Sequence, residues 1–548
     1  MVIRQGQTSG APAAHRIGFG LAFMGLMMIL SLGCEGSGNQ RPGMILQEPI
    51  DPRCAPIGGP FPAGFALLPD EPDRAVALRF SPAALLRFDI STGPPIPDNL
   101  EGVPLFPLDS DGDGLEDTEA YAAADLCPPK KEPDDPDCVT PPIVGSVIAP
   151  YPQTALVTTS GYEQVLFYRT ADSQLRSFEL VAPSEGTPAA DLSRPLYPPI
   201  GTRAHRSGLS TSVCVYPEVP TDSNGQSLPP ATLCDPARPS FVTSYTEDVG
   251  VSGATLFVAL SNYQGGSRYF PGTVLIHQVE QDELGIPIRI TPDADTPVLF
   301  TTGFNPTSLT PHRTRSGRAL MLVKWTGALE GPEILTDSGI DVIDVASRRL
   351  VATFPLGRAG ANFEKLEIDP GGLIAISGAE SSRQLYAVEL AVLDDPDLYQ
   401  IREEPVVLDG STPGFPDARL FDADRPFEIP ARPDGPPDML CATRTAATFK
   451  DEGNRIYTTD WCDGSLSVID IDWRLPLEQP LSPARFTISN RLDWFAPGFL
   501  SNFGLATAPS QPVIRPGQPG LDFEGPELLF LINESEGQLC AAYLGQEP

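Results

Sequence analysis

The chain has 548 residues, with 71 acidic against 37 basic side chains, and a formal charge of −34 at neutral pH. This charge argues against a nucleic-acid-binding protein, which needs a basic surface to neutralise phosphates. Hydrophobic residues make up 41% of the chain, enough to build a core. Its 62 prolines and 50 glycines are well above an average share, which favours short strands joined by many turns over long helices.

The amino-terminal segment has the layout of an export signal. Residues 1–33 contain Arg4 and Arg16 and no acidic residue, and residues 17–32 form an apolar run. This run of 16 residues is shorter than the ~20 that span a bilayer. It suits the hydrophobic region of a secretory signal, so 1–33 is predicted to be removed on export.

The end of that run, Ser31-Leu32-Gly33-Cys34, resembles the bacterial lipobox. The resemblance implies cleavage before Cys34 and a diacylglycerol on its sulfur, and Glu35 in the next place implies the outer membrane. We therefore expect a lipoprotein signal peptide over 1–33 and a flexible tether over 34–60. The protein would be lipid-anchored in the cell envelope, facing the periplasm or the surface. The alternatives are an ordinary signal peptide cut nearby and an uncleaved anchor.

The cysteine count agrees with export. Assigning Cys34 to lipid leaves eight of nine cysteines, an even number typical of an oxidising compartment. Neither a CxxC motif nor a Cys/His cluster occurs, which disfavours zinc and covalent haem. Spacing suggests three local disulfides and one between the ends of the mature chain: Cys127–Cys138, Cys214–Cys234, Cys441–Cys462 and Cys54–Cys540. The alternative is that several of these cysteines are free buried thiols.

A strand–turn–strand pattern recurs along the chain. Its clearest copy is 455–472, in which two β-rich runs flank an Asp/Gly turn, as a hairpin with a short loop requires. Seven pairs follow this pattern: 75–80 with 85–90, 154–159 with 165–169, 254–260 with 273–279, 319–324 with 340–345, 372–377 with 384–390, 456–459 with 466–471, and 527–532 with 538–544. A further strand often precedes the pair, as in 366–372 and 446–454, and another follows it, as in 350–357.

Four short strands per unit, repeated around a ring, predict an all-β protein with a β-propeller fold. One blade has two apolar faces and shields both only when neighbours stack on it. We expect seven four-stranded blades over 61–548 with long loop insertions, such as 182–238 and 395–440. A β-sandwich or two separate β domains is the alternative.

Two segments resemble a known bacterial repeat. IYTTDWCDGSLSVIDI (456–471) and SGIDVIDVASRRLVATFPLG (338–357) are similar to the YVTN-type, lactonase-like β-propeller repeat, and FDISTG (88–93) is a weaker match. The resemblance implies blade architecture. That family includes enzymes and extracytoplasmic proteins without assigned activity, so the fold leaves function open.

Residues 109–119, DSDGDGLEDTE, have the spacing of a calcium loop. Calcium takes six to eight oxygen ligands, and alternating carboxylates curl around one point. The candidate ligands are Asp109, Asp111, Asp113, the Leu115 carbonyl, Asp117 and Glu119. The stretch resembles EF-hand and thrombospondin type 3 loops, except that Ala120 stands where an EF-hand has its bidentate Glu. We expect a structural calcium site within an insert over 97–142; a solvated acidic turn is the alternative.

The sequence contains no catalytic motif that could be assigned. His277 lies in a predicted strand and is expected to be packed. His312 lies with Arg313, Arg315 and Arg318 in the one concentrated basic patch, which is either a solvated turn or an anion-binding site.

We therefore expect a binding protein rather than an enzyme, with an envelope protein or glycan as its partner. The alternatives are a lactonase-like or other hydrolase that uses the central cavity, and a structural element of an envelope assembly.

Overall fold

The computed structural model describes the following parts of the chain. The described residues are 53–57, 64–79, 84–91, 95–99, 102–104, 143–160, 164–169, 174–179, 190–191, 246–261, 263–265, 268–269, 271–330, 333–358, 365–369, 371–379, 382–409, 419–421, 426–429, 447–449, 455–460, 465–471, 486–493, 509–515, 527–533 and 537–544. No helix in these ranges is long and apolar enough to cross a bilayer.

The described residues form 37 strands and two short 3-10 turns, Leu390–Asp394 and Pro396–Tyr399. In chain order the first strands are β1 Arg53–Pro56, β2 Gly64–Leu67, β3 Arg74–Arg79, β4 Ala84–Asp89, β5 Ile96–Pro97, β6 Val103–Pro104, β7 Ile143–Tyr151, β8 Thr154–Ser160, β9 Gln164–Arg169, β10 Gln174–Glu179, β11 Ala190–Asp191, β12 Thr246–Ser252, β13 Thr255–Leu260, β14 Tyr263–Gly265, β15 Arg268–Tyr269, β16 Pro271–Gln281, β17 Pro287–Pro292 and β18 Val298–Phe304.

The remaining strands follow in the same order. They are β19 Pro306–Arg313, β20 Ala319–Trp325, β21 Leu329–Glu330, β22 Glu333–Ile334, β23 Ser338–Asp344, β24 Arg349–Gly357, β25 Glu367–Ile368, β26 Ile374–Gly378, β27 Gln384–Glu389, β28 Val406–Val407, β29 Arg419–Phe421, β30 Phe427–Glu428, β31 Ala447–Phe449, β32 Arg455–Asp460, β33 Ser465–Ile471, β34 Phe486–Asp493, β35 Pro509–Arg515, β36 Glu527–Asn533 and β37 Gln538–Leu544.

Among the described residues, seven sheets have at least four strands each. In chain order they are sheet 1 (β2-β3-β4-β5, with β6 on β4), sheet 2 (β7-β8-β9-β10), sheet 3 (β12-β13-β16-β17, with β18 on β16 and β11 on β17), sheet 4 (β19-β20-β23-β24-β28), sheet 5 (β25-β26-β27-β29, with β30 on β27), sheet 6 (β31-β32-β33-β34) and sheet 7 (β35-β36-β37-β1). Two ribbons, β14-β15 and β21-β22, complete the set.

Each of the seven strand pairs predicted from the sequence is confirmed as an antiparallel pair. They are β3-β4, β8-β9, β13-β16, β20-β23, β26-β27, β32-β33 and β36-β37. The strand expected after the hairpin at 350–357 is β24, and the strands expected before the hairpins at 366–372 and 446–454 are β25 and β31. The second long insertion also contributes strands, since β28, β29 and β30 lie within 395–440.

The central strands of the sheets are buried on both faces. All six residues of β13 and all seven of β23 are buried, because each sheet packs against its neighbours in chain order. Shared hydrophobic clusters join sheets 2 and 3, 3 and 4, 4 and 5, 5 and 6, and 6 and 7. Sheets 1 and 2 meet through β2 and β7. A strand that is apolar on both faces is stable only in such a stack.

Sheet 7 returns to the start of the chain. Its outer strand is β1, which pairs with β37, and Phe65 and Phe88 of sheet 1 share a hydrophobic cluster with Phe530 of sheet 7. Residues 53–56 lie inside the segment predicted to be a flexible tether, 34–60. They form a strand because the backbone of β1 completes the edge of β37, so a tether ends before Arg53.

The chain is an all-β protein with a β-propeller fold. Small, mainly antiparallel sheets follow one another face to face, and the last contacts the first.

Candidate functional site

Most of the predicted site residues lie outside the described residues. They are Cys34, the calcium-loop residues Asp109, Asp111, Asp113, Leu115, Asp117 and Glu119, and the cysteines Cys127, Cys138, Cys214, Cys234, Cys441 and Cys462. The lipid, the calcium site and the three local disulfides therefore stay predictions. The fourth cysteine pair is described: Cys54 and Cys540 form a disulfide across β1 and β37.

The first strands of successive sheets lie side by side. β2 contacts β7, β7 contacts β12, β12 contacts β19, β25 contacts β31, and β31 contacts β35. β19 is hydrogen-bonded to Leu366, the residue before β25: the Thr310 hydroxyl donates to the Leu366 carbonyl at 3.0 Å, and the Leu366 N–H donates to the Ser308 hydroxyl at 3.0 Å. In a propeller this set of strands lines the central channel, where ligands and partners have access.

We call these side-by-side first strands the wall. Asp248, on β12, is the polar centre of this wall. Its carboxylate is 1% exposed and accepts the Ser146 hydroxyl of β7 and the Leu309 N–H of β19, each at 2.7 Å. The Lys365 ammonium, two residues before β25, lies 3.2 Å from the same carboxylate. One buried charge is thus satisfied by segments of sheets 2, 4 and 5, as a buried charge must be.

Glu247 precedes Asp248 at a β-bulge in β12. Burial raises the pKa of Glu247 to about 7, the Asp248 carboxylate acts in the same direction, and the Ser261 hydroxyl opposes both. A carboxyl group with such a pKa exchanges a proton near neutral pH, the property that general acids and bases need. Glu247 is therefore the strongest proton-exchanging carboxyl candidate in the described part of the wall.

A cleft of about 480 Å³ opens between β19 and β25. This volume falls in the range of small-molecule sites, about 300–1,000 Å³. Its walls mix apolar and charged residues: Leu309, Thr310, Pro311, His312, Arg313, Lys365, Leu366, Glu367, Ile368, Asp369 and Gly372. We call this feature the β19/β25 cleft.

A tight turn after β25 shapes one end of the β19/β25 cleft. The Asp369 carboxylate accepts the N–H groups of Gly371, Leu373 and Ile374. Burial raises the pKa of Asp369 above its ordinary value, although these N–H groups favour the ionised form. Gly372 has φ +65°, and a Cβ there would lie 3.3 Å from Cε1 of His312. Glycine at this position therefore both forms the turn and leaves room for the imidazole.

His312 lies at the same end of the cleft and is 8% exposed. Burial lowers its pKa, and the nearby Asp394 carboxylate opposes this shift. The imidazole is therefore neutral at neutral pH and can donate one hydrogen bond and accept another. His277, by contrast, is packed in β16 as predicted, and burial lowers its pKa to about 4.

The arginines of the predicted basic patch differ in their surroundings. The Arg318 guanidinium lies 3.1 Å from the Asp344 carboxylate and 3.8 Å from the ring centre of Tyr399. Arg313 lines the β19/β25 cleft and donates to the Gly317 carbonyl at 3.0 Å. Arg318 therefore has a structural role, and Arg313 is the arginine of this patch that lies at a potential binding site.

The sequence did not single out Asp248, Glu247 or Lys365. Glu247 and Asp248 are two adjacent acidic residues within a β-rich segment, and this pattern alone does not indicate a functional site. Lys365 lies 117 positions beyond Asp248 in the chain, so their pairing depends on the order of the sheets.

Neither a protein-family model nor a curated protein sequence matches the chain. Several solved structures have a similar backbone trace. A hydrazine synthase of Kuenenia stuttgartiensis aligns with 93% of this chain and 99% of its own, at 11% identity and a TM-score of 0.42. The β-propeller domain of Cps50 (Swd1) from Myceliophteria thermophila aligns with 90% of this chain and 100% of its own, at 10% identity and a TM-score of 0.40.

A third similar structure is a Bacteroides fragilis protein whose description proposes a 6-phosphogluconolactonase. It covers 78% of this chain and 85% of its own, at 7% identity and a TM-score of 0.38. At such low identities and TM-scores, these likenesses identify neither a family nor a function for the chain.

Proposed function

We propose that the chain is an exported, lipid-anchored β-propeller that acts as a binding scaffold at the cell envelope. The observation that carries the binding role is the β19/β25 cleft, an open feature lined by both apolar and charged residues in the wall of otherwise closely packed sheets. Rigid strands hold its lining residues in place, which favours recognition of a ligand without a change of fold. The partner would be an envelope protein or a glycan.

The disulfide between Cys54 and Cys540 supports the extracytoplasmic address. Such bonds form and persist mainly in oxidising compartments. Cys34 would carry the lipid, and residues between Cys34 and β1 would tether the propeller to the outer membrane. The loop at 109–119 would bind calcium as a structural clip in the insert between sheets 1 and 2. Glu247, with its pKa of about 7, is the described residue that fits the hydrolase alternative, in which it would act as a general acid or base.

The address is tested on the full chain expressed in a Gram-negative bacterium. Metabolic labelling with an alkyne fatty acid should label the wild type, and mass spectrometry should find diacylglycerol on Cys34. The Cys34→Ala variant should be unlabelled. Equal labelling of both chains, or a mature terminus at another residue, would remove the lipid anchor from the proposal.

The binding role is tested by site-specific photocrosslinking in the same cells. A photoreactive residue at position 313, in the cleft, should give discrete crosslinked species in the envelope. The same residue at exposed position 289, on β17, is the matched control and should give none of them. Protease and glycosidase digestion then distinguishes a protein from a glycan. Identical products at both positions would contradict a binding role for the cleft.

A further inference from the structure

The two sides of the propeller carry different connections. The first four strands of each sheet are antiparallel to their neighbours, so the first and third connections lie at one end of the strands and the second lies at the other. We call the side of the first and third connections the entry face. Its described turns include 68–73, 152–153, 253–254, 282–286, 314–318 and 345–348.

Turns of neighbouring sheets contact one another on the entry face. The Gln153 N–H donates to the Asp70 carboxylate at 3.0 Å, which joins sheets 1 and 2. The Ser316 N–H donates to the Asp394 carboxylate at 2.9 Å, which joins sheets 4 and 5. These contacts agree with the strand directions in placing the first and third connections of different sheets on one side of the ring.

The chain enters the propeller on this same face. β1 runs antiparallel to β37, and the Ile57 N–H, just past the end of β1, donates to the Gly537 carbonyl at 2.7 Å. Gly537 lies in the second connection of sheet 7, on the opposite face, so Arg53 at the beginning of β1 points to the entry face. Residues 35–52 can span at most about 65 Å between Cys34 and Arg53. A lipid on Cys34 would therefore hold the bilayer within this distance of the entry face.

Exposed apolar side chains lie on the same face. Three large apolar residues in the described ranges are exposed, with 53%, 71% and 91% of their surface accessible: Ile96, Leu284 and Ile401. Ile96 opens β5 beside the end of β4, and Leu284 lies in the turn between β16 and β17, so both belong to third connections. Ile401 precedes Arg402, whose carbonyl accepts the Arg349 side chain at the beginning of β24. No exposed large apolar residue of the described ranges lies on the opposite face.

Single exposed apolar residues are common on soluble proteins, so the shared side is the informative observation. The three residues belong to connections of sheets 1, 3 and 5 and are spread around the ring. They form no contiguous patch of the kind that a protein partner covers. A flat surface wider than the propeller can meet all three at once, and a lipid bilayer is such a surface.

The neighbouring charges favour an uncharged lipid surface. Leu284 follows Asp282 and Glu283 in an exposed turn, and Ile401 is followed by the acidic pair 403–404. Anionic head groups attract basic segments and repel acidic ones. A zwitterionic surface accepts the apolar side chains without this repulsion, and interfacial binding strengthens with the apolar area buried.

We propose that the entry face docks on a zwitterionic phospholipid surface through Ile96, Leu284 and Ile401. This inference rests on the proposed lipid anchor, which brings the bilayer within reach, and it specifies which side of the propeller meets the membrane. The opposite face, with the second connections of the sheets, then points away from the bilayer.

The docking face is tested by photocrosslinking to lipid in the same bacteria. A benzophenone residue is placed in the full chain at position 284, 401 or 337. Asp337 is exposed in the second connection of sheet 4 and is the matched control on the opposite face. Mass spectrometry of the intact protein should find phospholipid adducts at 284 and 401 at least about fivefold more often than at 337, because the apolar tips contact the bilayer. Equal yields on both faces, or adducts with protein alone at 284 and 401, would overturn the proposal.

The same spectra separate this inference from the lipid anchor. Diacylglycerol on Cys34 together with equal adduct yields would leave the anchor in place and remove the docking face. Phospholipid adducts confined to 284 and 401 on a chain without lipid on Cys34 would support docking and remove the anchor.

The lipid charge is tested with the purified full chain. Vesicles of phosphatidylcholine are compared at low salt with vesicles that also contain phosphatidylglycerol. The adduct yield at 284 should fall with the anionic vesicles and should recover in part in Glu283→Gln, which removes one neighbouring charge. A higher yield with the anionic vesicles would contradict the zwitterionic surface. Melting temperatures check that all variants are folded.

Discussion

Cys54 and Cys540 are joined by a disulfide although 486 positions separate them in the chain. They face each other in the β1-β37 pair, so the covalent link and the backbone hydrogen bonds fasten the same edge of sheet 7. Through Phe65, Phe530 and their neighbours, the same region packs on sheet 1.

Removing this disulfide should destabilise the whole fold. Cys54→Ser, Cys540→Ser and the double variant should each lower the free energy of unfolding by about 2–5 kcal/mol, the usual loss for a native disulfide. Cys540→Ser should cost more than Cys54→Ser, since it also places a hydroxyl at a position that is 0% exposed. Urea unfolding followed by circular dichroism measures them. Unchanged unfolding midpoints would show that strand pairing alone holds β1 in place.

Asp248 and Lys365 should contribute unequally to stability. Asp248→Ala leaves the Leu309 N–H and the Ser146 hydroxyl without their acceptor and should cost about 3–5 kcal/mol. Lys365 is more exposed, with 36% of its side chain accessible, and Lys365→Met leaves both hydrogen bonds to Asp248 in place, so it should cost less than Asp248→Ala. Urea unfolding of both variants tests this order. A larger loss in Lys365→Met would mean that the ion pair, and not the hydrogen bonds, stabilises the wall.

Glu247 should make stability depend on pH near neutrality. Its pKa is about 7 in the folded chain against an ordinary value of 4.5, so the folded state binds the proton more tightly. The stabilising effect of protonation is present at low pH and is lost as pH rises from about 4.5 through 7, by up to about 3 kcal/mol. Glu247→Gln should therefore be more stable than wild type at pH 8, with the difference shrinking toward pH 5.

Comparing Glu247→Gln with wild type separates the pH-dependent contribution of Glu247 to stability from that of His277, because both chains contain His277. The pKa of His277 is lowered to about 4, so its contribution is lost as pH falls from about 6.5 through 4 and acts equally in both chains. Urea unfolding midpoints from pH 5 to 8 give both curves. Parallel curves would show that Glu247 titrates at its ordinary pKa.

Gly303 should not tolerate a side chain while Trp325 is present. A Cβ at Gly303 would lie 2.2 Å from Cε3 of the Trp325 ring. Gly303→Ala should destabilise the fold by about 1–3 kcal/mol through overpacking. In a Trp325→Ala background the same substitution should have little further effect, because the obstructing ring is gone. Additive losses in the double variant would contradict this account.

Calcium should stabilise the chain if 109–119 forms the predicted loop. A ligand that binds only the folded state raises the melting temperature in a concentration-dependent way. The shift should disappear in Asp111→Ala, while Asp282→Ala, which removes an exposed-turn carboxylate elsewhere, should retain it. No shift in wild type would remove the calcium site from the proposed function.

The strand pairs were predictable because each is local in the chain. The runs at 456–459 and 466–471 are separated by an Asp/Gly turn, and their apolar residues fit strands buried on both faces. The pairing of β1 with β37 was not predicted as a strand pair, although the matching of Cys54 with Cys540 pointed to the same contact. A four-residue edge strand has too few residues to show a pattern of its own.

The wall around Asp248 could not be predicted in the same way. Its partners Ser146, Leu309 and Lys365 come from three other parts of the chain, and the contacts arise from the side-by-side order of first strands. The basic patch was visible in the sequence. The difference between its arginines was not visible: Arg318 contacts Asp344 and Tyr399, whereas Arg313 lines the β19/β25 cleft.

The pairing of β1 with β37 has a consequence for biogenesis. The ribosome makes residues 53–56 early, but their hydrogen-bonding partner, residues 538–541, emerges only after nearly five hundred more have been synthesised. Until then the amino-terminal segment exposes an unsatisfied edge that could pair with another molecule. A polypeptide that ends before residue 538 would never pair residues 53–56. Quality control could therefore recognise a truncated product by this unpaired segment.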